Sequence, residues 1–395
     1  MINFLYSLIS VELFTGGGGH FFLSGSITPR MFLFVTALVT NLLFYLRAAD
    51  TRKLKSLSIL LVIGFFVAHL PSLLIGLGKG ASLRNIFTDL SPMLYWLMAP
   101  FFATVLESEL MVRRTAALLQ WSAIGVAMLY LVVLAAITID AGLSFGFHSW
   151  ADKTGEISFR NDQLFFYKGF LYLGIGIVFV VARGGRWQGF WLSILVVALT
   201  LTLTRGFVVA TSFATILLLV MMKRWRTLYA VLGVIVLVIY AVEIYLPSLD
   251  TGSMLLQRGI SNSIRIDDFV FMKTHFDVSY LIFGEGMGTF INGRLNIENS
   301  YLMILWKMGL WALFFWMIPL GIALNYFRKI KRNSEVYKLG CAFFYGLILI
   351  YIQTNFNPYL SNSIGLSFVL MAVFSLRTLA VSDAGRLLPT KVVED

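Results

Sequence analysis

Residues 281–309 read LIFGEGMGTFINGRLNIENSYLMILWKMG, and in this stretch a glycine-rich polar loop runs directly into a long apolar segment. Glycines at 284, 286 and 288 permit positive φ angles and close approach of the backbone. The segment after Ser300 is apolar enough to begin a helix that enters a membrane. The stretch therefore predicts a polar loop at a membrane surface.

Three polar side chains, Arg294, Glu298 and Asn299, stand immediately before the apolar segment, and Tyr301 follows them. Charged groups beside membrane helices are costly unless they pair or bind a ligand, and they are often functional. Their grouping indicates a polar substrate that is linked to a lipid.

Composition places the whole chain among membrane proteins. Of its 395 residues, 58% are hydrophobic, 15% are aromatic and only 13% are charged, and the mean hydropathy is +0.83. Soluble domains carry roughly 25% charged residues. We therefore predict an all-α polytopic membrane protein in which residues 1–395 form a single transmembrane domain.

A membrane-spanning helix needs about 20 mainly apolar residues, and the chain contains about twelve candidate spans. They lie at 2–14, 30–47, 56–77, 86–106, 115–139, 163–182, 188–203, 206–222, 227–246, 298–327, 339–355 and 359–381. Two outer loops are longer than the other connections: a smaller loop at 139–161 and a large, partly helical loop at 247–297.

Basic residues follow a one-sided pattern. Cytoplasmic loops retain Lys and Arg, and 19 of the 31 basic residues fall on alternate connections if the N-terminus is cytoplasmic. These connections are 47–55, 113–114, 183–186, 223–226, 328–338 and 377–391. Topology thus explains most of the net charge of +11. Both termini are predicted to be cytoplasmic, and no nucleic-acid partner is indicated.

Arg205 is the sharpest candidate for a ligand-binding cation, because it interrupts the membrane-compatible sequence TLTLTRGFVVATS at 200–212. Its guanidinium group can present planar donors to a phosphate. The alternative is an arginine in an interfacial turn that extends to the lipid headgroups. We favour phosphate binding.

Further cations accompany the two outer loops: Arg258 and Arg265 in the large loop, and Arg160 beside the smaller one. Converging cations suit a pyrophosphate and stabilise it as a leaving group. The alternative is that Arg258 and Arg265 are solvated and pair with Asp267 and Asp268. These two acidic residues lack further ligands in the sequence, so no metal site is predicted.

Glu298 is the candidate general base. A carboxylate at the membrane boundary can accept the proton of an attacking sugar hydroxyl. Acidic residues are also favoured in the first turn of a helix, so a capping role for Glu298 is the alternative.

Several elements together resemble the O-antigen ligase and polymerase (Wzy-like) superfamily. They are the order of about twelve spans, the Thr204-Arg205-Gly206 element, the large late outer loop, FGEGMGT at 283–289 and IENSYLMILWKMGLWALFFW at 297–316. The resemblance covers the chain loosely and residues 200–327 more specifically. Many relatives carry His-Asn where this chain has Glu298-Asn299, and this departure favours the polymerase branch.

The resemblance implies a GT-C-like glycosyltransferase of the bacterial inner membrane, with a periplasmic active site and without a cofactor or metal. Its substrate would be an undecaprenyl-pyrophosphate-linked oligosaccharide, and its partners membrane lipid and a chain-length-regulating membrane protein. The implied catalytic residues are Arg205 and Arg265, which hold pyrophosphate, and Glu298, which orients or deprotonates the acceptor. The candidate substrate-binding residues are Arg160, Arg258, Gly284, Gly286, Gly288, Arg294, Asn299 and Tyr301.

Three other functions remain open: an O-antigen ligase that transfers glycan to the lipid A core, a transporter of lipid-linked glycans, and a structural subunit of a polysaccharide export assembly. A transporter would place charges near the midplane of paired broken helices. The polar residues here cluster toward one face, which favours surface chemistry.

Overall fold

Apolar runs fold into helices because a helix satisfies its backbone hydrogen bonds within one segment, as a membrane interior requires. The computed structural model describes residues 2–17, 19, 28–47, 56–139, 141–159, 165–229, 233, 251–275, 277–334 and 336–385. Its α-helices are α1 (Ile2–Thr15), α2 (Pro29–Arg47), α3 (Ser56–Gly78), α4 (Leu83–Leu90), α5 (Ala99–Val105), α6 (Glu109–Ile139), α7 (Ala141–Thr154), α8 (Leu171–Arg183), α9 (Gln188–Leu201), α10 (Arg205–Met221), α11 (Thr251–His275), α12 (Ser300–Lys329), α13 (Tyr337–Gln353) and α14 (Ser363–Gly385).

Short elements complete the fold. Strand β1 (Ile157–Phe159) pairs antiparallel with β2 (Phe165–Tyr167). Turns of 3₁₀-helix lie at Met93–Met98, Lys168–Phe170 and Val278–Tyr280. The smaller predicted loop thus contains α7 and β1, and the large one contains α11.

The core is built around α8, whose residues from Leu171 to Ala182 are all buried. Helices α6, α9, α10 and α13 pack around it, and α14 packs against α12 and α13. By contrast, α3 carries apolar side chains that are each more than half exposed, at Leu60, Ile63, Phe66, Val67, Leu70 and Leu74. A largely apolar stripe of this kind is expected where a helix faces lipid.

Four of the described helices, α3, α6, α12 and α14, are long and apolar enough to cross a membrane by length and composition. Shorter apolar helices are α1, α9, α10, α13 and the segments Pro29–Phe44 and Met93–Val105. These findings support the predicted all-α membrane protein. The number of described helices that are long and apolar enough is smaller than the predicted number of twelve spans.

Two predicted spans differ from the described helices. The run 86–106 is divided into α4, a 3₁₀ turn and α5, because Pro92 follows the end of α4 and cannot continue its hydrogen bonding. The run 163–182 begins instead as β2 and a 3₁₀ turn before α8. Most of the predicted span 227–246 lies outside the described residues.

Helices α8, α10, α12 and α14 begin at one end of the bundle, which we call the loop end. There the Tyr172 hydroxyl donates to the Ile364 carbonyl at 2.8 Å. At the opposite end, which we call the basic end, Nη1 of Arg224 donates to the Val181 carbonyl at 2.7 Å. The N–H of Lys331 donates there to Oδ2 of Asp383 at 2.8 Å. The fold therefore separates the predicted outer loops from these basic connections.

Candidate functional site

The glycine-rich loop meets a break in α12. Gly309 has φ 73° and ψ −175°, which interrupts the helix. The next two N–H groups, of Leu310 and Trp311, donate to the carbonyls of Leu281 and Ile282 at 2.8 and 3.0 Å. The loop thus accepts two hydrogen bonds that would otherwise remain within the helix.

The loop also satisfies the carbonyls that the break leaves free. The N–H groups of Glu285 and Gly286 donate to the carbonyls of Trp306 and Lys307 at 2.7 and 3.0 Å. The hydroxyl of Ser72, on α3, donates to the same Lys307 carbonyl at 2.7 Å. Residues 281–286 are therefore fixed to the interruption in α12, with α3 beside them.

Glycine is required at this junction by close approach. Gly286 has φ 110°, and a Cβ atom there would lie 2.5 Å from the backbone nitrogen of Gly76. Gly284 and Gly288 are buried as well. All three contact protein in this structure, so packing explains them, and their predicted part in a substrate groove stays a prediction.

Arg265 and Glu298, two of the predicted catalytic residues, are in contact. Nε of Arg265 donates to Oε2 of Glu298 at 2.7 Å, and Nη2 lies 2.5 Å from the same oxygen. The two side chains are 42% and 46% exposed. Because a solvent-exposed ion pair contributes only about 0.2–1 kcal/mol, this one is open to competition from a ligand.

A second ion pair joins the same two segments. Arg294 pairs with Asp268, whose side chain is buried. Arg265 and Asp268 are three residues apart on α11, so they share one face of that helix. The predicted alternative paired Arg258 and Arg265 with Asp267 and Asp268, whereas in the structure Arg265 pairs with Glu298 and Asp268 pairs with Arg294. Instead, α11 lies against the loop through two ion pairs of opposite polarity.

The cap of α12 is Asn299. Its Oδ1 accepts hydrogen bonds from the N–H groups of Tyr301 and Leu302 at 3.0 and 3.1 Å. The capping alternative for Glu298 is therefore wrong. The hydroxyl of Tyr301 donates to the Tyr351 carbonyl at 2.7 Å. Asn299 and Tyr301 thus have structural hydrogen bonds, and substrate binding by them stays a prediction.

Arg205 is the first residue of α10, at the loop end, and its side chain is exposed. The following Gly206 packs closely against Phe356, whose Cβ would lie 2.7 Å from a Cβ added at that glycine. The structure therefore places Arg205 beside the turn at 354–362 that joins α13 to α14. Of the other predicted cations, Arg160 lies outside the described residues, as does the side chain of Arg258 on α11.

The same turn also contacts the start of α12. The N–H of Ser300 donates to the Thr354 carbonyl at 3.2 Å. The turn 354–362 is therefore contacted by the starts of α10 and α12, next to which Arg205 and Glu298 lie in the sequence. The structure brings Arg265 and Glu298 into contact and places Arg205 at the same end of the bundle.

Tyr359 anchors this turn to α10 and to the 3₁₀ turn that precedes α8. Its hydroxyl donates to the carbonyl of Lys168 at 3.1 Å, and its ring packs edge-on against Phe207. Burial raises the pKa of Tyr359 well above its usual value. The hydroxyl therefore keeps its proton and stays a hydrogen-bond donor.

Gln353, the last residue of α13, was not singled out from the sequence. It is fully buried, and neither Oε1 nor Nε2 has a hydrogen-bond partner among the described residues. An unpaired buried amide costs roughly 1–3 kcal/mol. A ligand hydroxyl can both donate and accept, so it can satisfy a carboxamide.

A buried ion pair between Lys307 and Asp89 was likewise not predicted from the sequence. Nζ of Lys307 lies 2.7 Å from each carboxylate oxygen, and both side chains are 1% exposed. A lysine within the apolar run MILWKMG at 303–309 would have been the signal. Its partner on α4 could not be read from the sequence.

Among the described residues, no group of three or more His, Cys, Asp or Glu side chains is placed to hold a metal ion. The described site contains guanidinium groups, a carboxylate and a carboxamide, which can form hydrogen bonds and ionic contacts with a ligand. These groups can bind phosphate, accept a proton and hold hydroxyl groups.

No family model matches the chain. An O-antigen polymerase of Shigella flexneri is 28% identical over 400 aligned residues, which cover 95% of this chain and 96% of the relative. The match thus covers nearly the whole length of both chains. It confirms the resemblance to the O-antigen ligase and polymerase (Wzy-like) superfamily, and the chain is a helical membrane protein similar to an O-antigen polymerase.

Proposed function

We propose that the chain is an O-antigen polymerase of the bacterial inner membrane, with a twelve-span, GT-C-like architecture. It transfers a growing glycan from undecaprenyl pyrophosphate to a sugar hydroxyl of another lipid-linked repeat unit. Similarity to a polymerase along 95% of the chain supports the polymerase role. The contact between Arg265 and Glu298 is the structural observation that carries the proposed site.

The loop end faces the periplasm in this proposal, and both termini are cytoplasmic. The support is the separation of charge, because cytoplasmic loops retain basic residues. Arg183, Arg224 and Arg332 lie on connections of the basic end, whereas α11 and the Arg265–Glu298 pair lie at the loop end. The lipid-linked substrate then reaches the site from the outer leaflet.

In the resting state of the proposed site, before substrate binds, Arg265 and Glu298 pair with each other. A pyrophosphate presents several anionic oxygens and binds guanidinium groups through charge-assisted hydrogen bonds. It displaces the single carboxylate oxygen of Glu298 from Arg265, since the exposed pair is weak. Donor binding therefore frees Glu298 for the acceptor.

The reaction is a direct displacement at the anomeric carbon of the donor glycan. The acceptor hydroxyl oxygen forms a bond to that carbon, and the bond from the carbon to the pyrophosphate oxygen breaks. Glu298 takes the proton of the hydroxyl, and undecaprenyl pyrophosphate leaves with the bonding electron pair. Arg265 and Arg205 stabilise the charge of the leaving group.

Gln353 is proposed to hold the sugar once the turn at 354–362 moves aside, because its side chain is fully buried in this structure. It lies at the turn that Arg205 and Ser300 flank, and its carboxamide offers both a donor and an acceptor. A sugar hydroxyl matches both, whereas a phosphate offers only acceptors. We therefore assign the cations to pyrophosphate and Gln353 to the glycan.

The transporter alternative predicts charges near a broken helix, and Lys307 lies two residues before the break at Gly309. Its ammonium group is held by Asp89 and by the carbonyl of Leu295, within protein. The charge is thus paired inside the protein, which argues against a role in a permeation pathway.

The decisive test is an in vitro reaction of the purified protein with a defined undecaprenyl-pyrophosphate oligosaccharide. A ladder of products that differ by one repeat supports polymerisation, and the same ladder in a chelator supports independence from metal. Transfer of glycan only when lipid A core is added would show a ligase. Absence of any transfer with either acceptor would contradict the glycosyltransferase role. Adding a chain-length-regulating membrane protein tests whether the ladder narrows.

A further inference from the structure

We propose that the buried Lys307–Asp89 pair is a positioning device for the reaction, which fixes the loop that carries Arg294 and Glu298. This inference rests on the proposed function of that loop. Lys307 lies on α12 and Asp89 on α4, so the pair joins two helices whose paired residues are 218 positions apart in the sequence.

The pair holds the loop at two points. Oδ2 of Asp89 accepts a hydrogen bond from the backbone N–H of Gly288 at 2.8 Å. Nζ of Lys307 donates to the backbone carbonyl of Leu295. Each partner of the ion pair thus binds one backbone group of the loop, and these groups are seven positions apart.

Between the two points the chain makes a tight turn. Ile291 and Arg294 exchange backbone hydrogen bonds of 2.8 and 2.9 Å. The two residues between them, Asn292 and Gly293, have φ angles of 48° and 74°. Positive φ angles at both central residues define a turn that closes a two-residue hairpin. The ion pair therefore fastens both legs of a hairpin that spans 288–295.

The outgoing leg of this hairpin leads directly to the proposed site. Arg294 contacts Asp268 of α11, and Glu298 follows the fastened Leu295 by three residues. A displacement of Leu295 would therefore move Glu298 relative to Arg265. Misplacement of a catalytic group by about 1 Å can lower a rate by roughly a hundredfold.

Ion pairing alone does not explain the choice of residues. A buried ion pair is often no more stabilising than apolar residues of similar volume. Lysine and aspartate, however, supply the donor and the acceptor that the backbone groups of Leu295 and Gly288 need. Positioning of the loop therefore accounts for charges that packing does not require.

Three double variants separate these roles. Asp89→Leu with Lys307→Met removes both charges and both loop hydrogen bonds. Asp89→Asn with Lys307→Met also removes the charges but keeps an oxygen that can accept from Gly288. The charge-swapped variant, Asp89→Lys with Lys307→Asp, keeps an ion pair but loses both loop hydrogen bonds.

The measurements are thermal unfolding in detergent, kcat and KM for the lipid-linked donor, and the mobility of a spin label at Phe290→Cys with Cys341→Ala. Phe290 is exposed on the hairpin, and Cys341 is the only native cysteine. We expect the Leu/Met and charge-swapped proteins to fold, with a mobile label, roughly tenfold to a hundredfold lower kcat and KM within about twofold. The protein with Asp89→Asn and Lys307→Met should recover part of the lost kcat, and its spin label should be partly immobilised.

Wild-type kcat with an immobile label in the Leu/Met or charge-swapped protein would overturn the proposal. So would failure of all three double variants to fold, because the pair would then serve folding. The mobility of the spin label measures the order of the hairpin independently of enzymatic activity. If Glu298→Gln kept normal chain lengths while the label became mobile in the double variants, the pair would still order the hairpin, but the proposed function of Glu298 would fail.

Discussion

Arg265 and Glu298 are 33 positions apart, yet both nitrogens of Arg265 that contact the carboxylate converge on one oxygen, Oε2. The contact joins α11 to the residue that precedes the cap of α12. Because the pair is half-exposed, it can be exchanged for a substrate group without a large loss of stability. Substitutions of either residue should therefore change activity far more than folding.

Arg265→Ala should abolish long glycan chains and lower turnover by roughly a hundredfold or more, because a positioned donor to the leaving group is lost. Insertion and thermal stability should stay unchanged. Lys273→Ala is the matched control, since Lys273 is an exposed cation on the same helix. Equal chain lengths in the Arg265→Ala protein and the wild type would remove Arg265 from the site.

Glu298→Gln should retain binding of the lipid-linked donor but lose turnover by roughly 10²- to 10⁴-fold, as expected for a general base. Donor binding and single-turnover rates measure the two effects separately. Asn299→Ala serves as the comparison: it removes the cap of α12, so it should lower stability by about 1 kcal/mol. Near-normal turnover in Glu298→Gln would exclude the base role.

Arg205→Ala should weaken donor binding and shorten the chains, and Arg205→Lys should restore only part of the activity because lysine lacks the planar fork of donors. Arg186→Ala, an exposed arginine at the basic end, should have no effect. KM for the donor is the relevant measurement. A full rescue by lysine would indicate a contact with lipid headgroups instead.

Gly309→Ala should destabilise the protein by at least about 1 kcal/mol, because residues other than glycine are strained at positive φ. An added Cβ would also overlap the carbonyl of Ile282. Gly321→Ala is the control on the same helix: a Cβ added there would have no neighbour within 4 Å, so the change should be neutral or slightly stabilising. Equal melting temperatures for the two variants would contradict the packing role of the loop.

Gln353→Leu should raise KM for the glycan acceptor or donor while leaving stability unchanged or increased, because an unpaired buried amide is removed. Gln353→Glu should instead destabilise the protein, since it buries a charge. Thermal unfolding and steady-state kinetics together decide the outcome. An unchanged KM in the leucine variant would show that Gln353 does not hold sugar.

The amino-acid sequence by itself determined that this is a helical membrane protein, because apolar content and span length depend only on composition and order. It also supplied Arg205, Arg265 and Glu298 as candidate site residues, since charges beside apolar segments are visible in the sequence. Local propensity likewise located the start of α12, but it could not decide whether Glu298 or Asn299 formed the cap. Which of the two residues forms the cap depends on where the backbone first adopts helical φ and ψ angles.

Only the tertiary structure decided which residues meet. Arg265 pairs with Glu298 rather than with the nearby Asp268, and Lys307 pairs with Asp89 across 218 positions of sequence. The glycine-rich loop, which resembles a ligand-binding loop in the sequence, is fixed to the break at Gly309. The physical reason is that buried charges and free backbone groups must find partners wherever the packed helices place them.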